Sequence, residues 1–185
     1  MYASRGYKVY GQEQVIRGEP HFDTYFIDES KYRDLESCAT RPGDVLVSLV
    51  GTIGKVLVLP EDAKAGVINP RLIKLSFASE LVTPEYAHVV LSSPLTHSYY
   101  RRASQGSTMD ILNLAILRGL SIPLPPLAEQ AEIVRRVARL IHMSSNLDGR
   151  VDAAALRVAQ STQSILAKAF RAELSDFSSA ESAHG

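Results

Sequence analysis

The chain has 185 residues, 45% of them hydrophobic, with 20 Lys and Arg balancing 20 Asp and Glu; that suffices for one domain plus an appendage and for a real core. Zero net charge excludes a bulk basic field, so nucleic-acid contact has to come from local clusters. The single cysteine, Cys38, excludes an internal disulfide and a cysteine-built zinc site and fits a reducing cytoplasm, while the first residues carry no apolar leader and no run approaches a membrane span of about 18 apolar residues.

Residues 1–127 carry strand and helix signals in mixture, predicting an α+β domain around a mixed sheet. The opening stretch Arg5–Gln14 interleaves cations, tyrosines and amides. Asp44–Val50, entered through the Pro42-Gly43 turn, is a short apolar run and hence a strand. Lys55–Leu59 is a second strand, ended by Pro60. Between them lies Gly51-Thr52-Ile53-Gly54, followed by Lys55. A glycine-lysine pair raises the question of a nucleotide phosphate loop, which needs a glycine five residues before the second one, a hydroxyl after the lysine and a helix beyond it. Leu49 stands at the first position, Val56 at the second, and a strand follows. The segment therefore reads as a β-hairpin connection or tight strand corner whose glycines supply backbone freedom.

Arg71–Phe77 alternates and predicts a third strand. Thr83-Pro84-Glu85 predicts a helix start, with Thr83 capping, Pro84 at the first turn and Glu85 at the positive end. Tyr86, Val89 and Val90 then share a face. Pro94 stops that helix, and a further helical stretch runs to about Arg102. Ser104–Thr108 is a polar loop, and Ile122–Leu127 is extended because each proline restricts its predecessor.

After Pro126 the period changes. Ile133, Val137, Leu140, Ser144, Leu147, Val151, Ala154, Val158, Ser161, Ile165 and Lys168 step alternately by four and three. Such a period of 3.5 predicts a helix that supercoils with a partner helix. From Ala128 to Phe170 it would span about 65 Å, beyond the reach of a globule with a radius of gyration near ~14 Å. Part of its seam is therefore expected to meet another chain, through Ile133, Val137, Leu140, Leu147, Val151, Ala154, Val158 and Ile165. Gly149 either costs about 1 kcal/mol against alanine or marks a break into two helices. The expected organisation is a recognition domain over 1–127, a long spacer helix over 128–172 and a flexible Ser/Ala-rich tail over 173–185.

Motifs for chemistry are sparse. Asp44 precedes a strand and Glu61-Asp62 follow one, without the close carboxylate and lysine spacing that nucleases use. His21, His88, His97, His142 and His184 are scattered without metal-ligand spacing. No nucleophile elbow or dinucleotide fingerprint occurs. The chain reads as a non-enzyme with no cofactor and no metal.

Local cations and amides do cluster. Lys8, Gln12, Gln14, Lys55, Arg71, Arg101, Arg102, Gln105, Ser107 and Thr108 are the candidate DNA contacts. Arginine and lysine neutralise phosphates or read guanine, amides read adenine, and hydroxyls meet phosphate oxygens. The bland alternative for each is a solvated polar surface.

Several motifs in order, Arg41–Asp62 with its Gly-Asp-Val-Leu and Gly-Thr-Ile-Gly blocks, then Ile68–Leu75, Thr83–Pro94, Ala103–Val137 with Gly-Ser-Thr and Pro-x-x-Glu-Gln elements, and Ser164–Leu174, together resemble the specificity subunit of type I restriction-modification systems. The resemblance implies a non-catalytic subunit whose target recognition domain docks double-stranded DNA and whose spacer helix holds modification (methyltransferase) and restriction (endonuclease) subunits in the cytoplasm. A full-length subunit of that family has two recognition domains and two spacers, whereas this sequence shows one of each and no internal repeat. The reading is a half-subunit that forms a homodimer through antiparallel spacer helices and reads a bipartite, palindromic site. The alternatives are the C-terminal fragment of a longer specificity subunit and a coiled-coil adaptor without DNA binding of its own, the latter favoured by the zero net charge.

Overall fold

The computed structural model describes residues 5–104 and 112–181. The elements in chain order are β1 (Tyr7–Tyr10), α1 (Gln12–Arg17), β2 (Tyr25–Ile27), α2 (Glu29–Asp34), a 3-10 turn (Glu36–Cys38), β3 (Ala39–Thr40), β4 (Val45–Ser48), β5 (Val56–Val58), β6 (Gly66–Ile68), β7 (Leu72–Leu75), α3 (Pro84–Leu91), α4 (Pro94–Ala103), α5 (Leu114–Arg118) and α6 (Leu127–Glu181). The fold is α+β, with a long C-terminal helix.

The strands form two sheets. One has the order β2-β1-β6-β3, with β1 parallel to β6 and antiparallel to β2, and β3 antiparallel to β6. The other, β5-β4-β7, is wholly antiparallel. β4 is fully buried, and its apolar run has a direct cause. Side chains on a strand alternate between faces, and here each face meets a different core. Val45 and Val47 join Val56, Tyr86, Leu91 and Tyr100, whereas Leu46 joins Tyr10, Val15, Leu57, Leu59 and Leu72.

The β4–β5 connection is a hairpin, with Val47 opposite Val56. Gly51 and Gly54 both have φ +72°, a conformation that costs little only for glycine. Gly54 is needed twice over, because a Cβ there would stand 2.9 Å from the Tyr100 ring. Ser48 fills the turn: its hydroxyl donates to the Thr52 carbonyl and accepts from the Lys55 N–H. The glycine block thus seats the hairpin against α4.

Thr83 caps α3 by accepting the Tyr86 N–H, with Pro84 in the first turn. The buried face of α3 is Tyr86, Ala87 and Leu91, while Val89 and Val90 are half-buried. Pro94 opens α4, because Ser93 supplies the next cap and proline suits a first turn.

The start of α6 is tied to the globule by a residue the sequence reading did not single out. Gln130 is fully buried. Its Oε1 accepts the Thr83 N–H at 3.0 Å, and its Nε2 donates to the carbonyls of Leu81 and Pro125. Three of its four amide valences are thereby used on backbone groups of the segments on either side. Ile133 and Val134 continue the packing against the first core.

The chain divides into two compact units, Met1–Arg136 and Val137–Gly185. In the second, the helical backbone continues through Gly149 without a break as far as Glu181. Leu140, Ile141, Met143 and Leu147 are all exposed there, Leu140 at 65% and Leu147 at 56%. Val137 is half-buried and Ala154 and Val158 are exposed; the side chains of Val151 and Ile165 lie outside the described ones. No described helix is long and apolar enough to cross a membrane.

Candidate nucleic-acid interface

Two of the candidate contacts turn inward. Lys8 sits on β1 with no exposed surface. Its ammonium pairs with Asp23 at 2.9 Å, donates to the Pro20 carbonyl at 2.7 Å and lies 5.2 Å from the centre of the Tyr10 ring. Lys64 shares the same carboxylate at 2.6 Å. These hydrogen bonds from Lys64 and Lys8 hold the Asp23 carboxyl below its ordinary range. Lys8 is therefore spent on the fold and is withdrawn as a DNA contact. Its alternation with Tyr7 and Val9 gave no warning, because burial on both sheet faces erases the polar-out rule.

Gln14 is withdrawn on similar grounds. It is fully buried on α1. Its Oε1 accepts the Gly11 N–H at 2.8 Å and its Nε2 donates to the Phe22 carbonyl and Thr24 hydroxyl. That arrangement pins the 19–24 loop to α1 and leaves the amide little to offer a base.

The remaining described candidates stay accessible. Lys55 is exposed immediately after the glycine hairpin, and Arg71 is exposed at the entry to β7. Arg101 and Arg102 are exposed in the last turn of α4, where Arg101 donates to the Ser98 hydroxyl at 3.3 Å. The hairpin and α4 are neighbours: Gly54 abuts both Tyr100 and His97. The structure thus brings Lys55 and the α4 arginines to adjoining elements. Gln12 is half-buried, and its Nε2 donates to the Val50 carbonyl. It shares a cleft with Arg71. Gln105, Ser107 and Thr108 lie outside the described residues.

Burial pushes the Tyr100 phenol up to about 12, and its hydroxyl has no hydrogen-bond partner among the described residues. No group of three or more His, Cys, Asp or Glu among the described residues is placed to hold a metal ion.

Comparison with known proteins gives a consistent set of relatives. The chain is 37% identical over 134 residues to the type I restriction enzyme EcoBI specificity subunit of Escherichia coli, covering 72% of this chain and 28% of that protein. It is 39% identical over 103 residues to the StySPI specificity subunit of Salmonella potsdam, covering 55% of this chain and 22% of that protein. The chain therefore spans about a quarter of the length of these relatives. Among solved structures, one chain from a study of complex assembly and conformational transition in the type I R-M system superposes with a TM-score of 0.56 at 21% identity, covering 79% of this chain and 34% of that one. The crystal structure of the HsdS subunit from Thermoanaerobacter tengcongensis gives 0.52 at 20% identity, covering 59% and 28%; at such identities the likeness is one of fold. The family described as type I restriction modification DNA specificity domain matches residues 4–150. With most of the sequence inside that match, the chain belongs to the type I restriction modification DNA specificity domain family.

Proposed function

We propose that this chain is a sequence-specific DNA-recognition subunit of a type I restriction-modification system, non-catalytic in itself, that directs modification and restriction subunits to their site. The family match over residues 4–150 carries this reading. In it, residues 1–127 are the recognition domain, 128–172 the spacer and 173–185 a tail whose first part, to Glu181, continues the same helix. Lys55, Arg71, Arg101 and Arg102 are the phosphate contacts, since they are the candidate cations left exposed and phosphate contacts position a protein on DNA without reading its sequence.

The proposal extends to a homodimer through antiparallel copies of α6. Leu140 and Leu147, 65% and 56% exposed, lie one heptad apart on a seam that water does not favour. A twofold dimer presents the same reading surface twice, so its site is a palindrome interrupted by a gap. Light scattering on the purified chain tests this part. A dimer mass that becomes a monomer mass on Leu140→Glu with Leu147→Glu is expected. A monomer at micromolar concentration, unchanged by adding the modification subunit, overturns the homodimer and leaves the seam to a helix from elsewhere in a longer polypeptide.

A further inference from the structure

A cleft of about 540 Å3 opens beside α1, lined by Gln12, Glu13, Tyr25, Asn69 and Arg71. Its polar groups are held in place by bonds that leave specific valences open. Asn69 accepts the Arg71 N–H on Oδ1 at 3.0 Å, and its own N–H donates to the Tyr10 carbonyl at 2.9 Å. The side-chain amide is thereby oriented, and its Nδ2 donates to no described residue. The Nδ2 packs over Gly11, where a Cβ would come within 3.0 Å. Gln12 spends one N–H on the Val50 carbonyl, which fixes the amide, while Oε1 and the second N–H meet no partner among the described residues. The Arg71 guanidinium has no ion pair among the described residues.

We propose that this cleft reads base edges, and that Asn69 is a specificity-determining residue. The inference rests on the DNA-binding reading above. Asn69 Nδ2 offers donors only, which suits the O6 and N7 acceptors of guanine in the major groove, while Arg71 beside it stays a phosphate contact. Gln12, with one acceptor and one donor open, suits a neighbouring base that carries an exocyclic amine, adenine above all. The groups differ from Lys55, Arg101 and Arg102 in kind: fixed amides discriminate bases, while flexible exposed cations follow phosphates. Gly11 belongs to the device, because a Cβ there would stand 3.0 Å from Asn69 Nδ2 and press on the amide.

The test is enrichment of bound duplexes from a randomised pool by the full chain at fixed salt, unaltered and as Asn69→Asp. Aspartate keeps the acceptor for the Arg71 N–H and exchanges the donors for lone pairs. The expected result is loss of guanine at one position of the enriched half-site. The preference for the original duplex over one altered at that base falls about 5- to 150-fold, the discrimination a good base contact supplies. Reading a ratio of two affinities cancels the added charge, which acts on all duplexes alike. Gly11→Ala, which crowds the amide and adds no charge, gives the same loss to a smaller degree. An unchanged ratio in both variants, or a loss confined to binding of another protein, overturns the inference. If the unaltered chain enriches no sequence at all, the DNA-recognition reading falls and this one with it.

Discussion

Leu46 and Leu140 are the same side chain in opposite circumstances. Leu46, on β4, has no exposed surface and touches its neighbours on every side, whereas Leu140, on α6, is 65% exposed. The globule completes its core from its own strands and short helices. The helix past Arg136 carries apolar residues at a regular spacing and leaves Leu140, Ile141, Met143 and Leu147 exposed. A core of the first kind supports folding; a seam of the second kind is available for assembly.

The largest expected effect breaks that contrast directly. Leu46→Ala should lower thermal unfolding stability by about 3 kcal/mol or more, through lost burial and the cavity left behind. Leu140→Ala should leave the melting of dilute monomer within about 0.5 kcal/mol, as surface substitutions do. Equal losses in the two variants would mean that the helix seam is already part of a self-contained core.

A second effect sharpens where the one regime gives way to the other. Gln130→Ala removes the acceptor for the Thr83 N–H and the donors for the Leu81 and Pro125 carbonyls. Leaving buried backbone groups unpaired costs about 1–3 kcal/mol, so chemical denaturation should show a loss of that size. Exchange of the Thr83 amide should also quicken beyond what the global loss explains. An exchange rate that follows global stability alone would deny Gln130 its role as the tie between α6 and the loops before α3.

The smallest effect concerns Lys8 against the exposed cations. Asp23 has a lowered folded pKa, from its hydrogen bonds to Lys64 and Lys8. The stability it contributes is present above its unfolded value of 3.8 and is lost as pH falls through the lower folded one. Lys8→Met keeps the apolar stem and removes one of those bonds, so melting temperature should fall less steeply between about pH 5 and pH 3. Lys55→Ala, at an exposed lysine outside the Asp23 pair, should leave that slope alone. Identical acid slopes in the native chain and Lys8→Met would remove the buried pair from the acid response.

Some of this was legible in the residues alone because it depends on local chemistry. The Thr83-Pro84 cap, the failure of Gly51–Lys55 as a nucleotide loop, the hairpin between two strands and the 3.5 period after Pro126 all follow from neighbours within a few positions. The family, too, was visible in the order of short motifs. What stayed hidden was decided across the chain. Lys8 and Gln14 look like recognition residues in a polar segment, and nothing nearby announces that Asp23, Pro20, Phe22 and Thr24 will consume them. Gln130 belongs to a recognisable motif, but its purpose depends on Thr83 and Leu81, 47 and 49 positions away. Asn69 stands against Gly11, a proximity that its own neighbours in sequence do not announce. The sequence by itself determined β4, β5 and β7, the helices α3, α4 and α6, the family and the spacing of the helix seam, since these rest on backbone preference and periodicity, whereas the short β1, β2, β3, β6, α1, α2 and α5 carry too few residues to show a period. Only the tertiary structure decided which polar groups are satisfied within the chain and which are left over, because a hydrogen-bond partner is chosen by proximity in space and not along the chain.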